Sequence, residues 1–395
     1  MAEHPVRISV DDDLRRSRLT VLFRLVLAIP HILWWNIWSF FALFVAIAVW
    51  VVTLVRGTPP AGLYTLQASY VRYSTHFFAY VVLAANPWPM FTGRPGYPVD
   101  LDFDPPQRQR RLAVAFRLVL AIPALVLAVC FTGGGALTYG GGTLLVVAFF
   151  AWFASLVRGE MPSGFRDLQA YGLRYLAQLF AYLFVLTERY PDVDPAATPA
   201  AVREHPVWLA MDENLRRSRL TVFFRLLLSL PHIVWLLLWT IVAIPTAFVT
   251  WLAALIIGRT PRALHRFLAA WIRYSTHLYA YLTLAANPFP GFTGAAGSYP
   301  LDPVFPAPER QHRLVTGFRI FLAIPALAVN GAVGLLVIVS ALLGWFVALA
   351  LGRMPASLRN AQAYALRYSA QVSAYVFLLT DRYPYSGAIR IPSRS

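Results

Sequence analysis

Four long stretches of the sequence contain no charged residue between their bounding arginines. They lie at 24–56, 117–158, 225–259 and 319–353. About 20 apolar residues are enough to cross a bilayer as a helix, so each stretch is long enough for more than one crossing. The chain is 58% hydrophobic and only 13% charged, whereas soluble domains carry about 25% charged residues. The sequence therefore predicts an integral membrane protein.

The stretches belong to four copies of one unit, recognised by a fixed order of landmarks. Each copy has an extended segment, an arginine cluster, a Phe-Arg pair followed by a proline, the apolar stretch, and a segment containing Arg-Tyr. The Phe-Arg arginines are Arg24, Arg117, Arg225 and Arg319, and the Arg-Tyr arginines are Arg72, Arg174, Arg273 and Arg367. Only the first and third copies carry Pro-His and Arg-Tyr-Ser-Thr-His, so the copies alternate in the order A-B-A-B.

The alternation predicts two tandem halves joined by a linker rich in proline and alanine. The expected boundaries are 1–96 for repeat A1, 97–192 for repeat B1, 193–204 for the linker, 205–296 for repeat A2, 297–386 for repeat B2 and 387–395 for a C-terminal tail.

Turn signals inside the apolar stretches favour two helices per stretch. The second copy has a glycine-rich run at 132–142, and glycine runs break helices. In the first copy Asn36 lies between tryptophans, which is typical of an interfacial turn, so we expect helices at Leu19–Trp35 and Ile37–Val55. The predicted fold is an all-α polytopic membrane protein with about eight transmembrane helices. Each repeat is expected to contain a short cytoplasmic β-strand, a Pro-kinked transmembrane hairpin and an amphipathic helix.

The hairpins also predict an orientation, because they bring the arginines at both ends of a stretch to one side of the membrane. Loops rich in arginine face the cytoplasm. We therefore expect a multi-pass protein of the plasma membrane with both termini in the cytoplasm.

The Arg-Tyr segment of each copy is open to several interpretations. In the first copy it is long enough to cross, but its polar residues fall on one helical face, which favours a helix lying in the interface. It could also be a third span whose polar stripe faces other helices. If it crossed in addition to the hairpin, Arg108, Arg110 and Arg111 would lie outside, against the charge rule. In a third arrangement the first helix lies in the interface and this segment crosses the membrane. The Gly/Arg pairs that end the apolar stretches would then lie outside, so we rank it lower.

The repeated arginines are the candidate binding residues. The four Phe-Arg arginines either bind phospholipid headgroups or an anionic substrate, or simply extend their long side chains to the membrane surface. The four Arg-Tyr arginines either line a vestibule and clamp lipid phosphates, or anchor an interfacial helix beside tyrosine. We favour the structural role for both sets.

Four histidines of the A repeats are candidate titrating groups near neutral pH. They are His31, His76, His232 and His277. No acidic residue lies at metal-ligand spacing from them, and Cys130 is the only cysteine. We therefore expect no metal site and no cofactor.

The sequence contains no phosphate-binding loop, zinc-protease motif or nucleophile elbow. We therefore predict that the protein is not an enzyme. The formal net charge of +16 comes from arginines that flank apolar segments, so the expected partners are anionic membrane lipids and other membrane proteins, not nucleic acid. The first hypothesis is a scaffold, a lipid-interacting protein or an accessory subunit. The alternative is a transporter or channel component for an anionic or lipid-like substrate.

Four segments carry a family resemblance. They are Phe-Arg-Leu-Val-Leu-Ala-Ile-Pro-His (23–31), Phe-Arg-Leu-Val-Leu-Ala-Ile-Pro-Ala (116–124), Arg-Tyr-Ser-Thr-His-Phe-Phe-Ala-Tyr (72–80) and Leu-Thr-Glu-Arg-Tyr-Pro (186–191). With them the chain resembles a bacterial, largely actinobacterial, membrane family catalogued as domain of unknown function number 4389, here in four tandem copies. The resemblance implies no activity, cofactor or catalytic residue. The fourth copy departs from the pattern at Pro303 and Pro306, and these prolines count against its strand.

Overall fold

The computed structural model describes residues 4–133, 142–198, 205–211, 214–389 and 391. The chain divides into two compact units, Met1–Ala201 and Val202–Ser395, which are described separately as the first and second half. Both halves are mostly helical, and each contains one two-stranded antiparallel sheet.

The elements follow the same order in both halves. Those of the first half are β1 (Val6–Val10), α1 (Arg18–Leu22), α2 (Arg24–Arg56), α3 (Ala61–Val81), β2 (Val99–Phe103), α4 (Arg111–Ala115), α5 (Arg117–Thr132), α6 (Thr143–Arg158) and α7 (Ser163–Leu183). Those of the second half are β3 (Trp208–Met211), α8 (Arg219–Phe223), α9 (Arg225–Leu228), α10 (Leu230–Ile257), α11 (Arg262–Leu282), β4 (Leu301–Val304), α12 (Arg313–Gly317), α13 (Arg319–Leu351) and α14 (Ala356–Val376). We call α3, α7, α11 and α14 the Arg-Tyr helices.

The apolar stretches of the first, third and fourth copies form continuous helices, so the hairpins predicted there are wrong. Each helix has 33 residues: Arg24–Arg56, Arg225–Ile257 and Arg319–Leu351. In the third copy it comprises α9 and α10, because Ser229 between them also has helical backbone, with φ of −82° and ψ of −14°. Such a helix is about 50 Å long, and these three are long and apolar enough to cross a membrane. The expected turn at Asn36 does not form because its Nδ2 donates to the carbonyl of Ile32, one turn earlier in the same helix, at 2.7 Å. The prediction of eight spans therefore has no support.

The second copy contains an insertion in the same long helix. The Phe-Arg arginine and the glycine that ends the helix are 33 residues apart in the other copies, but Arg117 and Gly159 are 42 apart. The Thr143 hydroxyl donates to the carbonyl of Cys130 at 2.8 Å, as a threonine does to the residue four positions earlier in one helix. Hence α6 continues α5. Residues 134–141, which carry most of the glycine-rich run, lie outside the described residues.

Deletion of residues 134–142 tests this arrangement. It removes nine residues and brings the second copy to the length of the others, so we expect a folded protein with an unfolding midpoint close to that of the wild type. The measurement is thermal unfolding in mild detergent. A helical hairpin would lose its connection, so aggregation or a large loss of stability would contradict the insertion.

The two copies of each half interlock through their strands. In the first half β1 pairs with β2 in an antiparallel register that places Ile8 opposite Leu101. Strand β2 packs on α3, whereas β1 packs on α7, so each strand lies on the Arg-Tyr helix of the other copy. The second half repeats this arrangement with β3, β4, α11 and α14. A single copy therefore cannot complete its own core.

The fourth copy forms its strand despite its prolines. Strand β4 contains Pro303, which lies opposite Leu209 of β3. A two-stranded sheet has only edge strands, and edge strands tolerate proline.

Tryptophans join the long helices to the short helices of the neighbouring copy. In each copy an indole Nε1 donates to a carbonyl in the last turn of the short first helix of its partner copy, at 2.8 to 3.1 Å. The pairs are Trp50 with Val114, Trp152 with Val21, Trp251 with Thr316, and Trp345 with Val222. This bond occupies a carbonyl where the short helix ends and the long helix begins.

Each half has a layered construction. The long helices bury only one stripe of mostly small or polar side chains, which in α2 includes Ala28, His31, Ala42 and Val49. Large apolar side chains are exposed along the rest of their surface. The Arg-Tyr helices lie between the long helices and the sheet, and α7 and α14 are buried over almost their whole length. The opposite side of the sheet carries exposed polar residues such as Asp102.

Candidate functional site

Arg24 lies inside the first half and is only 1% exposed. Its Nη1 donates to the carbonyls of Tyr80 and Ala85 at 2.6 and 3.0 Å, and its Nη2 donates to Asn86 Oδ1 at 3.1 Å. The guanidinium also stacks on the ring of Tyr80, with Cζ 4.3 Å from the ring centroid. Carbonyls at the end of a helix lack partners within the helix and carry partial negative charge. Arg24 therefore caps the C-terminus of α3.

The other three Phe-Arg arginines have the same geometry. Each donates to one carbonyl in the last turn of the Arg-Tyr helix of its own copy and to one in the turn that follows, and stacks on a tyrosine there: Arg117 on Tyr182, Arg225 on Tyr281, and Arg319 on Tyr375. Arg319 also pairs with Asp381. All four are at most 2% exposed. Their Nη donors are directed at protein oxygens, and their Nε atoms are buried without a hydrogen-bond partner. A lipid phosphate could reach the Nη groups only by displacing those oxygens.

The capped turns are strained in all four copies. Each contains a residue other than glycine with φ between 61° and 69°: Leu83, Val185, Leu284 and Leu378. Left-handed backbone is unfavourable for such residues, especially for β-branched valine, and persists where surrounding contacts enforce it. The carbonyl of each strained residue accepts a side-chain hydrogen bond, from Arg16, Gln109, Arg217 and Gln311 respectively. Two polar side chains thus hold every turn.

Replacing Arg24 tests the cap. We expect Arg24→Lys and Arg24→Gln to lower the free energy of unfolding by roughly 3 kcal/mol, because neither side chain can reach all three acceptors and buried carbonyls lose a charged donor. Denaturant unfolding followed by tryptophan fluorescence measures the change. The exposed Arg111 is the control, since Arg111→Gln should change stability by about 0.5 kcal/mol or less. Loss of bound anionic lipid with unchanged stability in Arg24→Gln would instead favour headgroup binding.

The Arg-Tyr arginines also bind protein oxygens. In the A copies the Nε atoms of Arg72 and Arg273 donate to strand carbonyls of the next copy, at 3.0 and 3.2 Å. In the B copies Arg174 and Arg367 donate to carbonyls of the segment that follows their own helix, both at 2.7 Å. All four tie the middle of an Arg-Tyr helix to a strand, or to the segment that follows the helix, in the same half. Their role in a vestibule stays a prediction.

Two of the candidate histidines have acidic partners that sequence spacing did not indicate. His76 Nε2 lies 2.8 Å from Asp100 Oδ1, and His277 Nε2 lies 2.7 Å from Asp302 Oδ1. These aspartates belong to strands of the neighbouring B copy. Burial alone would raise the pKa of Asp100, but hydrogen bonds from His76 and from backbone amides hold that pKa below its usual value. Burial lowers the pKa of His76.

The other two histidines pack among aromatic rings. The Nδ1 atoms of His31 and His232 lie 2.9 and 2.7 Å from the hydroxyls of Tyr73 and Tyr274. Their rings stack on Phe91 and Phe292 at 4.2 Å. Among the described residues, no group of three or more His, Cys, Asp or Glu side chains is arranged to hold a metal ion.

Two further buried histidines predict a pH dependence of stability. Burial lowers the pKa of His4 and of His205 to about 4, and each Nδ1 accepts a hydrogen bond from the amide of the valine two residues later. The unfolded chain has a histidine pKa near 6.5. Below that pH the unfolded chain binds protons that the folded protein does not. The free energy of unfolding therefore falls as the pH drops from about 6.5 towards 4, by up to about 1.4 kcal/mol per pH unit for each histidine.

Unfolding free energies measured between pH 7.5 and 4.5 test this expectation. The double variant His4→Gln, His205→Gln should have a shallower slope than the wild type, whereas substitution of the exposed His312 should leave the slope unchanged. Equal slopes for the wild type and the double variant would contradict it.

Other arginines lie at the ends of the long helices, and three of them cap the long helix of the partner copy. Arg18 donates to the carbonyl of Val157, Arg219 to Ala350, and Arg313 to Ile256, all at 2.9 to 3.0 Å. Others in these clusters, such as Arg56 and Arg108, are exposed. The start of one copy therefore lies beside the end of its partner, and both ends of each half are basic.

The comparisons with known proteins agree with this fourfold repetition. The family described as Domain of unknown function (DUF4389) matches residues 18–92, 111–192, 219–293 and 313–387. The chain belongs to this family. Its four tandem copies, expected from the sequence, are confirmed. Each match begins at or close to the start of a short first helix and extends past the capped turn. No curated protein and no solved structure matches the chain.

Proposed function

We propose that this protein is a non-enzymatic, lipid-interacting scaffold or accessory subunit of the plasma membrane, and that its long helices lie within the cytoplasmic leaflet. In this arrangement both termini are cytoplasmic. The observation that carries the proposal is the continuity of the long helices, each of which has basic clusters at both ends. The finding of three helices apolar enough to span a membrane supports membrane residence. The position within one leaflet is argued below.

The distribution of arginine favours this position. If α2 crossed the membrane, the cluster before Arg24 and the cluster around Arg56 would lie on opposite sides. Arginine-rich segments strongly prefer the cytoplasmic side. A helix that lies in the leaflet keeps both clusters at the same surface, where anionic headgroups attract them. The hairpins predicted from the sequence would also place both clusters on the cytoplasmic side. A continuous helix in the leaflet gives the same one-sided distribution of arginine without a turn.

The layers of each half favour it as well. The sheet of the first half packs across the middle of the Arg-Tyr helices, because Arg72 and Gln178 bind the carbonyls of Leu101 and Val6. Its other face carries the partly exposed ion pair of Arg7 and Asp104, whose side chains are 35% and 32% exposed. Crossing helices would hold this polar face at mid-membrane depth, where exposed strands and charges are costly. With the helices in the leaflet, the sheet faces water.

The alternative is a transporter or channel component, with the long helices crossing and the polar sheet lining a water-filled path for an anionic or lipid-like substrate. The two arrangements place the ends of the helices differently. Thr58 follows α2 and Glu160 follows α6, and both are exposed at opposite ends of the first half. Crossing helices put these residues on opposite sides of the membrane, whereas helices in the leaflet put them on the same side.

Cysteine accessibility tests the proposal. Thr58→Cys and Glu160→Cys are introduced separately into a Cys130→Ala background and treated with a membrane-impermeant maleimide. We expect both positions to react in inside-out vesicles and neither to react in intact cells. A permeant maleimide is the control, because it should label both in every sample. Labelling of the two positions from opposite sides, together with anion flux in proteoliposomes, would contradict the proposal and support transport.

A further inference from the structure

A cleft lies at one end of the second half, where the start of its A copy meets the end of the long helix of its B copy. Its volume is about 480 Å³, and its lining includes Asn214, Arg216, Arg217, Leu351 and Arg353. This volume is in the range of small-ligand sites, which run from about 300 to 1,000 Å³. The cleft is distinct from the four arginine caps, although Asn287, which binds Arg225, also borders it.

Two exposed arginines oppose each other in this cleft. Arg216 and Arg353 are partners in an antiparallel backbone bridge, and both side chains are exposed. Like charges directly opposite each other across a strand pair are destabilising. The main chain holds them together, because the amides of Arg217 and Met354 donate to the carbonyls of Gly352 and Leu215 at 2.9 Å. Two arginines on adjacent, hydrogen-bonded backbone can both direct their guanidinium groups to one anion with several oxygens.

The first half provides an internal comparison, because there the matching bridge joins Arg15 to Glu160. The two sites are built alike: the Arg15 amide donates to Asp13 Oδ1, and the Arg216 amide donates to Asn214 Oδ1, both at 2.9 Å. In the first half the positive charge of Arg15 therefore lies next to two carboxylates of the same chain. In the second half the same two positions have changed from Asp and Glu to Asn214 and Arg353.

The inference rests on Arg216 and Arg353 alone. Arg217 is buried and already donates to the carbonyls of Leu284 and Ala285. In the first half its counterpart Arg16 also pairs with Asp12. The corresponding acid of the second half, Glu213, lies outside the described residues.

We propose that the cleft at Arg216 and Arg353 binds the phosphate group of an anionic phospholipid. Leu351, which is 59% exposed, lies at the edge of the cleft and continues the apolar surface of α13. A lipid can therefore place its phosphate between the two guanidinium groups and its acyl chains along α13. The first half carries Glu160 at the position of Arg353 and Arg158 at the position of Leu351, so it lacks both the opposed arginine pair and the apolar edge and does not bind at the matching place. The lipid source of the phosphate rests on the proposed function, whereas the phosphate chemistry rests on the arginine pair.

Titration of the full-length protein in neutral detergent with short-chain phosphatidylglycerol tests this site. A second bridge of this half joins the exposed Arg259 and Arg310, so the total number of bound lipids does not by itself identify the cleft. We expect the double variant Arg216→Gln, Arg353→Gln to lose one bound lipid per chain relative to the wild type. The control is Arg15→Gln with Arg158→Gln, which removes the same charge from the matching end of the first half and should change the affinity less than twofold. Equal losses in the two double variants would overturn the site.

Two further measurements use the internal comparison. Arg353→Glu restores the residue type of the first half, so we expect lost lipid binding with unchanged or raised thermal stability, which separates binding from misfolding. Conversely, Asp13→Asn with Glu160→Arg should add one bound lipid per chain. Unchanged lipid affinity in Arg353→Glu would overturn the proposal.

Competition experiments identify the source of the phosphate. Inorganic phosphate should bind at least tenfold more weakly than phosphatidylglycerol, and phosphatidylcholine of the same chain length should bind more weakly than phosphatidylglycerol because its headgroup is neutral overall. Equal or tighter binding of inorganic phosphate would overturn the lipid assignment. The titrations are independent of how the helices lie in a bilayer, so their failure would leave the one-sided labelling of Thr58→Cys and Glu160→Cys, and with it the proposed function, intact.

Discussion

A buried guanidinium joins the first turn of each long helix to the last turn of the Arg-Tyr helix in the same copy. Arg24 shows the arrangement, with two carbonyls, one amide oxygen and one tyrosine ring around a single side chain. A charged donor in a buried site is costly unless its partners are in place, and the carbonyls are equally costly without it. Neither helix end is therefore stable alone, and the strained turn at Leu83 is fixed by the same contacts.

The A and B copies interlock because the cap does not supply all the contacts that one copy needs. The cap closes a copy at one end, but the short first helix still needs the tryptophan of its partner, and the Arg-Tyr helix needs the strand of its partner. In each half the A copy supplies a tryptophan and a strand to the B copy, and the B copy supplies both to the A copy. This reciprocity accounts for the alternating order of the copies, since His76 in an A copy and Gln178 in a B copy occupy matching places but bind strands of different sequence.

The sequence was sufficient to predict the four copies and the membrane class, because repeated motifs and uncharged stretches are local properties. It was not sufficient for the path of the long helices. Asn36 is a turn signal by composition, yet its amide bonds within the helix. The glycines of the second copy were interpreted as a hairpin turn, whereas the contact between Thr143 and Cys130 indicates an insertion. The partner of His76 was missed because Asp100 belongs to another copy, and sequence spacing does not reveal exchange between copies.

The layered construction leads to the central claim that the long helices lie in one leaflet. In each half the long helices and the Arg-Tyr helices run antiparallel beside each other, as the contacts of Arg24 with Tyr80 and of Ser39 with Tyr70 indicate. Polarised infrared spectroscopy of the protein in oriented bilayers measures their common direction. The account predicts amide I dichroism of helices parallel to the membrane plane. Dichroism of helices aligned with the membrane normal would contradict it.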